Sequence, residues 1–354
     1  MSQQDHSQPK SFSLGRILLI AVPAAAIAWG VQSYWDNARE QAEKKTEQNT
    51  VRNLLGTESA NKLAKEFTDA DGDLLADPPE DEAKLQDPDE LVFSYYASTE
   101  EGDEQQTWKT FTEALSQRTG KPVKYVRFAD VSEQLRALRE GTLHMTAFGT
   151  GAVPTAVNKS GFTPLCCFAD TDGNYSYTMK IIVPADSDIK KVEDLRGKRF
   201  TFTRPRSNSG YKAALAMLLA DHDMQPERDY AWGFSYGHEN SIAGVADKQF
   251  EAAAVASDVL DREIAAGKIS EDSIRTIYES KPFPPGVLGY VSNLTPELRE
   301  AIRETVAEFK IDGTPLAEYG AGKPIELAMV SYKKDWAPVR DINKAVEEAR
   351  EQVQ

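Results

Sequence analysis

From residue 91 onward, short apolar strand patterns alternate with amphipathic helix patterns, and that alternation commits the chain to an α/β body with largely parallel sheets. Residues 91–96 read as a strand, and 105–118 as a helix with Trp108, Phe111 and Leu115 on one face. Strands follow at 123–128, 144–148, 177–183 and 199–203. Helices are predicted at 131–140, 154–159 and 211–219. The strand at 144–148 is followed by a helix that opens on Pro154, where a fixed φ suits the first turn.

At 354 residues the chain exceeds one ordinary core and suits two lobes plus an extension. Its net charge of −15 excludes a nucleic-acid partner, because a polyanion requires a basic face that releases counterions. A small anion is not excluded, since backbone N–H groups at a helix start hold one inside an acidic protein. The only two cysteines, Cys166 and Cys167, are adjacent within an apolar run. Neighbouring cysteines supply no disulfide framework, so buried packing is the expected role.

Residues 1–13 are a polar tail, and a span candidate follows at 14–35, with Arg16 just before its apolar run from Ile17 and Tyr34 and Trp35 at its far rim. That length is close to a bilayer span of about 20 residues, and the positive-inside tendency puts the C-terminal bulk outside the cytoplasm. The favoured expectation is therefore a single transmembrane anchor, with the membrane as a partner. Ala24-Ala25-Ala26 and Ala26-Ile27-Ala28 also fit a cleaved signal peptide, and both readings export the protein.

Residues 36–88 are charged and poor in aromatics, which predicts an acidic stalk, extended from Thr68 onward. Within it Asp69, Asp71, Asp73, Asp77 and Glu80 fall at positions 1, 3, 5, 9 and 12 of an EF-hand-like calcium loop. The glycine stands at position 4, Leu74 occupies position 6, and two prolines precede the glutamate. A calcium site and a solvated acidic linker both remain open; no other cofactor is expected.

Ligands of α/β sheets sit beyond the C-terminal strand ends. Three such junctions carry small polar residues: Ser98-Thr99-Glu100, Gly149-Thr150-Gly151 and Ser207-Asn208-Ser209-Gly210. The last opens a helix, a place suited either to holding an oxyanion or to ordinary N-capping.

Ser207-Asn208-Ser209-Gly210-Tyr211 resembles the Ser-Thr-Ser-Gly-Tyr/Phe segment of the phosphate, phosphite and phosphonate substrate-binding proteins of ABC transporters. Further matches come in the same order: Ser98-Thr99-Glu100 after the first strand, Trp108 on the next helix, Phe148-Gly149 where many members have Tyr-Gly, and Tyr177 before a hinge-like strand. Gly237-His238-Glu239, Ala256-Ser257-Asp258 and the closing stretch 330–341 complete the set. The resemblance covers residues 89–346. It implies a two-lobed type II periplasmic-binding-protein fold with a hinge, preceded here by the transmembrane helix and acidic linker. Lobe one is expected at 89–183 plus 287–346, lobe two at 184–286, and a tail at 347–354.

The same resemblance implies the ligand-binding residues. Ser207, Asn208 and Ser209 hold the oxygens of a small phosphorus oxyanion, His238 donates to another, and Tyr177, Tyr96, Phe148 and Ser98 line the cleft. Asp258 either faces the anion, and then admits only one that carries a proton, or caps a helix. Asn208 for Thr and Phe148 for Tyr depart from the family pattern. An ABC permease is the implied partner, and a tethered ligand sensor or scaffold is the alternative role. An enzyme is not expected: Gly233-Phe234-Ser235-Tyr236-Gly237 has the letters of a nucleophile elbow, but no histidine follows His238 to serve as the downstream base.

Overall fold

The computed structural model describes residues 62–96 and 102–352. The expected membrane anchor, the first part of the stalk and Ser98 lie outside the described residues. Among those described, no helix is long and apolar enough to cross a membrane.

Two sheets organise the chain. The first has the order β11-β4-β10-β3-β1-β2, from β1 (Leu91–Phe93), β2 (Val123–Tyr125), β3 (Met145–Phe148), β4 (Phe162–Asp170), β10 (Val287–Val291) and β11 (Ile325–Met329). β1 pairs in parallel with β2 and β3, while β10 runs antiparallel between β3 and β4. β3 and β10 are buried at every position, as strands covered on both faces are. α1 (Lys109–Thr119) packs on α7 (Pro296–Glu308), and α2 (Val131–Arg139) on α3 (Val153–Ser160). The helix expected at 105–118 is interrupted at Trp108, whose wholly buried ring stacks among Phe93, Tyr95, Phe111 and Phe168. Cys166 and Cys167 are free thiols buried in β4.

The second sheet has the order β7-β6-β8-β5-β9, from β5 (Met179–Pro184), β6 (Arg199–Phe202), β7 (Ala231–Phe234), β8 (Ala252–Ala256) and β9 (Ile274–Glu279). Its core is Ile182, Ala253 and Val255 of the strands against Ile242 and Val245 of α5 (His238–Ala246) and Val259 and Leu260 of α6 (Ser257–Ala265). The five small residues of β8, all buried, let these helices approach closely.

The chain crosses between the sheets through residues 171–178 and returns through 280–286. The two connections pair with each other: Tyr177 N–H donates to the Phe283 carbonyl at 3.1 Å and Phe283 N–H to the Tyr177 carbonyl at 2.7 Å. The expected lobe boundary at residue 183 shifts accordingly, because β5 pairs with β8 and β9 of the second sheet. Assignment of 337–346 to lobe one also changes. After Trp336 the chain crosses a third time, and α8 (Ala337–Gln352) packs on α4 (Ala213–Ala220) of the second lobe, with Val339, Asn343 and Val346 buried along one stripe.

Residues 62–90 are not an extended linker. Ala64 N–H donates to Asn158, Gln86 N–H to Asn293, and Thr295 N–H to Gln86, while Phe67 lies against Gly161 and Ala76 is buried. These backbone pairings and apolar anchors dock an acidic segment that composition alone reads as solvated.

Candidate functional site

The site grows from the turn after β6. Ser207 caps the following helix, its Oγ accepting from Gly210 N–H at 3.0 Å, and Asn208–Lys212 forms a π-helical turn that runs into α4. Gly210 is obligatory: a Cβ there would collide with the Thr203 side chain. The first N–H groups of such a helix have no intrahelical partner and carry partial positive charge. Asn208 and Ser209 are buried at this turn. Asn208 Nδ2 donates to the Tyr177 hydroxyl at 3.4 Å, while its Oδ1 is buried with no partner among the described residues.

His238 opens α5 beside this turn. Its Nδ1 accepts the Ala256 N–H at 3.0 Å, which assigns the proton of the neutral ring to Nε2, and Nε2 lies 3.4 Å from Ser207 Oγ. Burial pulls the ring's pKa down to about 4, so at neutral pH it is an uncharged donor directed at the serine turn.

Asp258 is the second residue of α6, just beyond the end of β8. Water reaches it, yet protein encloses it on most sides, and that desolvation raises its carboxyl pKa against the opposing pull of Arg262. Its charge is felt at the hydroxyls of both Tyr96, from the first lobe, and Tyr177, from the hinge. The Tyr177 hydroxyl in turn contacts Thr150, Asn208 and Ser209. Tyr96 packs on Tyr95 with ring centroids 4.2 Å apart, and its hydroxyl occupies the place where a side chain at Gly286 would be.

The fold thus brings together Ser207, Asn208, Ser209, His238, Asp258, Tyr177 and Tyr96. Phe148 is a correction: its ring is wholly buried against Phe162 (centroids 4.9 Å) in the core of the first lobe, so it does not line the cleft. Thr150 was absent from the expected set and belongs in it. Its Oγ1 donates to the Pro284 carbonyl at 2.8 Å, and its carbonyl accepts from Trp336 Nε1 at 3.1 Å. The Gly-Thr-Gly spelling at a strand end was the available signal. The elbow-like Ser235 is turned inward, donating to the Gly237 carbonyl and 2.7 Å from Ser241 Oγ, while His238 is held elsewhere.

In the acidic loop, carboxylate oxygens of Asp69, Asp71 and Asp73 lie within 4.8 Å of one another. Leu74 adopts φ +70° and its N–H donates to Asp69 Oδ2 at 3.2 Å. Asp69 Oδ1 is buried without a partner among the described residues, and Asp77 accepts Ala70 N–H. Burial raises the Asp73 pKa, and the neighbouring Asp71, Asp69 and Asp77 raise it further. Glu80 is exposed and stands outside the cluster of three.

Two α/β lobes joined by paired connections, with polar groups from both lobes converging near the crossing, have the architecture of a solute-binding protein. Residues 93–322 match the family model described as ABC transporter, phosphonate, periplasmic substrate-binding protein, and the chain belongs to that family. Its members are solute receptors rather than enzymes. The chain is 23% identical over 231 residues to the phosphate-import protein PhnD of Mycolicibacterium smegmatis, covering 62% of this chain and 72% of that protein. It is 22% identical over 237 residues to the phosphonates-binding periplasmic protein of Escherichia coli, covering 66% of each. Its fold is similar to the binding component of an ABC phosphonate transporter from Pseudomonas aeruginosa (TM-score 0.60, 20% identity, 74% of this chain and 88% of that one). It is also similar to PhnD1 of Prochlorococcus marinus, solved in complex with methylphosphonate (TM-score 0.59, 15% identity, 74% and 100%).

Proposed function

We propose that the protein captures a small phosphorus oxyanion (phosphonate, phosphite or phosphate) between its lobes and delivers it to an ABC permease. The observation that carries this reading is the convergence at one helix start of a neutral His238 Nε2 donor, the serine turn and the Tyr177 hydroxyl, with one carboxylate, Asp258, beside them. Donors hold the oxygens; hydrogen bonds to a charged group contribute about 1.5–3 kcal/mol each, enough in a set of three or four for micromolar binding. Asp258 repels an anion unless that anion carries a proton to donate. A site of this kind accepts protonated phosphorus oxyanions and rejects sulfate, which has no proton at neutral pH. The names of the two curated relatives, which concern phosphate and phosphonates, support the same ligand class.

The test is calorimetry with phosphate, phosphite, methylphosphonate, aminoethylphosphonate and sulfate. Binding of at least one phosphorus oxyanion ahead of sulfate is expected; binding of none, or of sulfate best, overturns the reading. Export with residues 14–35 as a membrane anchor accords with the apolar stretch of the sequence and the family's periplasmic setting. The buried, unpartnered Asp69 Oδ1 among three converging carboxylates favours calcium in the acidic loop over a solvated linker.

A further inference from the structure

Lys212 is the one cation inside the apolar run that begins α4, and it is 5% exposed. Its Nζ donates to the Gly151 carbonyl at 2.8 Å. Lys212 belongs to the second lobe, in the same turn as Asn208 and Ser209. Gly151 belongs to the first lobe, between β3 and α3. Gly151 is also where the backbones of the two lobes touch: a Cβ there would fall 2.5 Å from the Arg206 carbonyl oxygen and 2.8 Å from Asn208 N. Its loop is fixed from behind, since Thr150 is tied to Pro284 of the return connection and to Trp336 at the third crossing.

We propose that Lys212 is a positioning residue for the ligand, an ammonium that bonds the first lobe's Gly151 carbonyl only when the cleft is closed and thereby slows ligand escape. This rests on the oxyanion-receptor reading above. An apolar side chain would pack at this position without the penalty of burying a charge. Burial and the nearby Arg206 bring the ammonium pKa down to about 8, with Glu347 of α8 opposing, so it stays mainly charged at neutral pH. With the lobes apart, Lys212 is left to water and the latch is gone. Lys212 Nζ is directed at the Gly151 carbonyl, so it acts through the Gly149-Thr150-Gly151 loop, whose Thr150 meets the Tyr177 hydroxyl at the site.

The experiment is stopped-flow binding of methylphosphonate and inorganic phosphate to the full chain and to Lys212→Met, which keeps an apolar stem of similar length. The dissociation rate is expected to rise about tenfold or more while the association rate changes less than about threefold, the split usual for a lost closed-state contact. Gly151→Ala reaches the same contact from the other lobe by wedging the backbones apart, and covers the case of a Met variant that fails to fold. The double variant is expected to be less impaired than the product of the two single effects, because both remove one contact. Unchanged dissociation rates in a wild type that binds and in folded variants overturn the latch and leave the receptor reading standing. A wild type that binds neither ligand overturns the receptor reading and the latch with it. A drop in melting temperature alone, equal with and without ligand, assigns Lys212 to ordinary packing and also overturns the proposal.

Discussion

His238 makes acidification a specific perturbation of the second lobe. The neutral ring accepts the Ala256 N–H on Nδ1 and presents Nε2–H to Ser207. Protonation puts a second N–H on Nδ1, directly opposed to the Ala256 donor, so that bond is lost and a charge is left in a buried place. The folded-state pKa is about 4 against 6.5 for the unperturbed ring. For a base with a depressed pKa, the folded state is favoured in full above the unfolded value and loses that advantage as pH falls from about 6.5 to about 4. The window of two and a half units corresponds to about 3–4 kcal/mol at most, at roughly 1.4 kcal/mol per unit. Urea unfolding of the ligand-free protein and of His238→Gln at intervals between pH 7.5 and 4 measures it. Glutamine keeps an oxygen for Ala256 N–H and an amide donor for Ser207 but does not titrate. Wild type is expected to lose about 2–3 kcal/mol more than the variant across this range. Parallel curves for the two proteins would refute the tautomer and burial argument together.

Asp258→Asn is expected to weaken methylphosphonate binding at least tenfold, read by calorimetry, and to raise the melting temperature of the ligand-free protein at pH 7. The raised carboxyl pKa means that the folded state pays for the charge above the unfolded pKa, so the gain disappears below about pH 4. Unchanged affinity returns Asp258 to helix capping. Gly286→Ala pushes a methyl group into the Tyr96 hydroxyl and is expected to lower ligand affinity about tenfold, with circular dichroism showing an intact fold. Calcium at millimolar concentration is expected to raise the melting temperature of the whole chain, and Asp69→Ala to remove most of that rise; equal shifts in both proteins return the loop to a solvated acidic segment.

Much of this architecture was legible because the information is local. Apolar periods mark β3, β5 and β6 and the helices after β3 and β6, and the small polar residues at the end of β6 sit where a helix start needs capping and where an anion finds free N–H groups. What the sequence did not disclose depends on pairing at a distance. Residues 62–90 read as solvated linker because their anchors are isolated Phe67 and Ala76 plus backbone bonds, and no periodicity records backbone bonds. Phe148 was placed in the cleft by analogy with a tyrosine; without a hydroxyl to satisfy, its ring goes to the core against Phe162. β5 carried a strand pattern, but nothing in a strand's own residues says which sheet it joins.

The same distinction explains why the halves of the site differed in legibility. The second-lobe half is built from residues close in sequence to the strand ends that carry them: Ser207 to Ser209 after β6, His238 after β7, Asp258 after β8. Each announces itself as a turn leading into a helix. The first-lobe half is defined by what it meets across the gap. Gly151 is informative only because Arg206 and Asn208 of the second lobe lie against it, and Gly286 of the return connection only because Tyr96 needs the space; Lys212, on the second lobe, is likewise informative only through its carbonyl partner on the first. A lysine within an apolar helix start reads from sequence as a solvent-facing position. Its burial follows from two facts of the tertiary structure, the approach of the Gly151 loop to the turn and α8 crossing to cover α4. The residues proposed to grip the ligand are therefore written in the motifs, whereas those of the proposed latch are written in contacts between lobes.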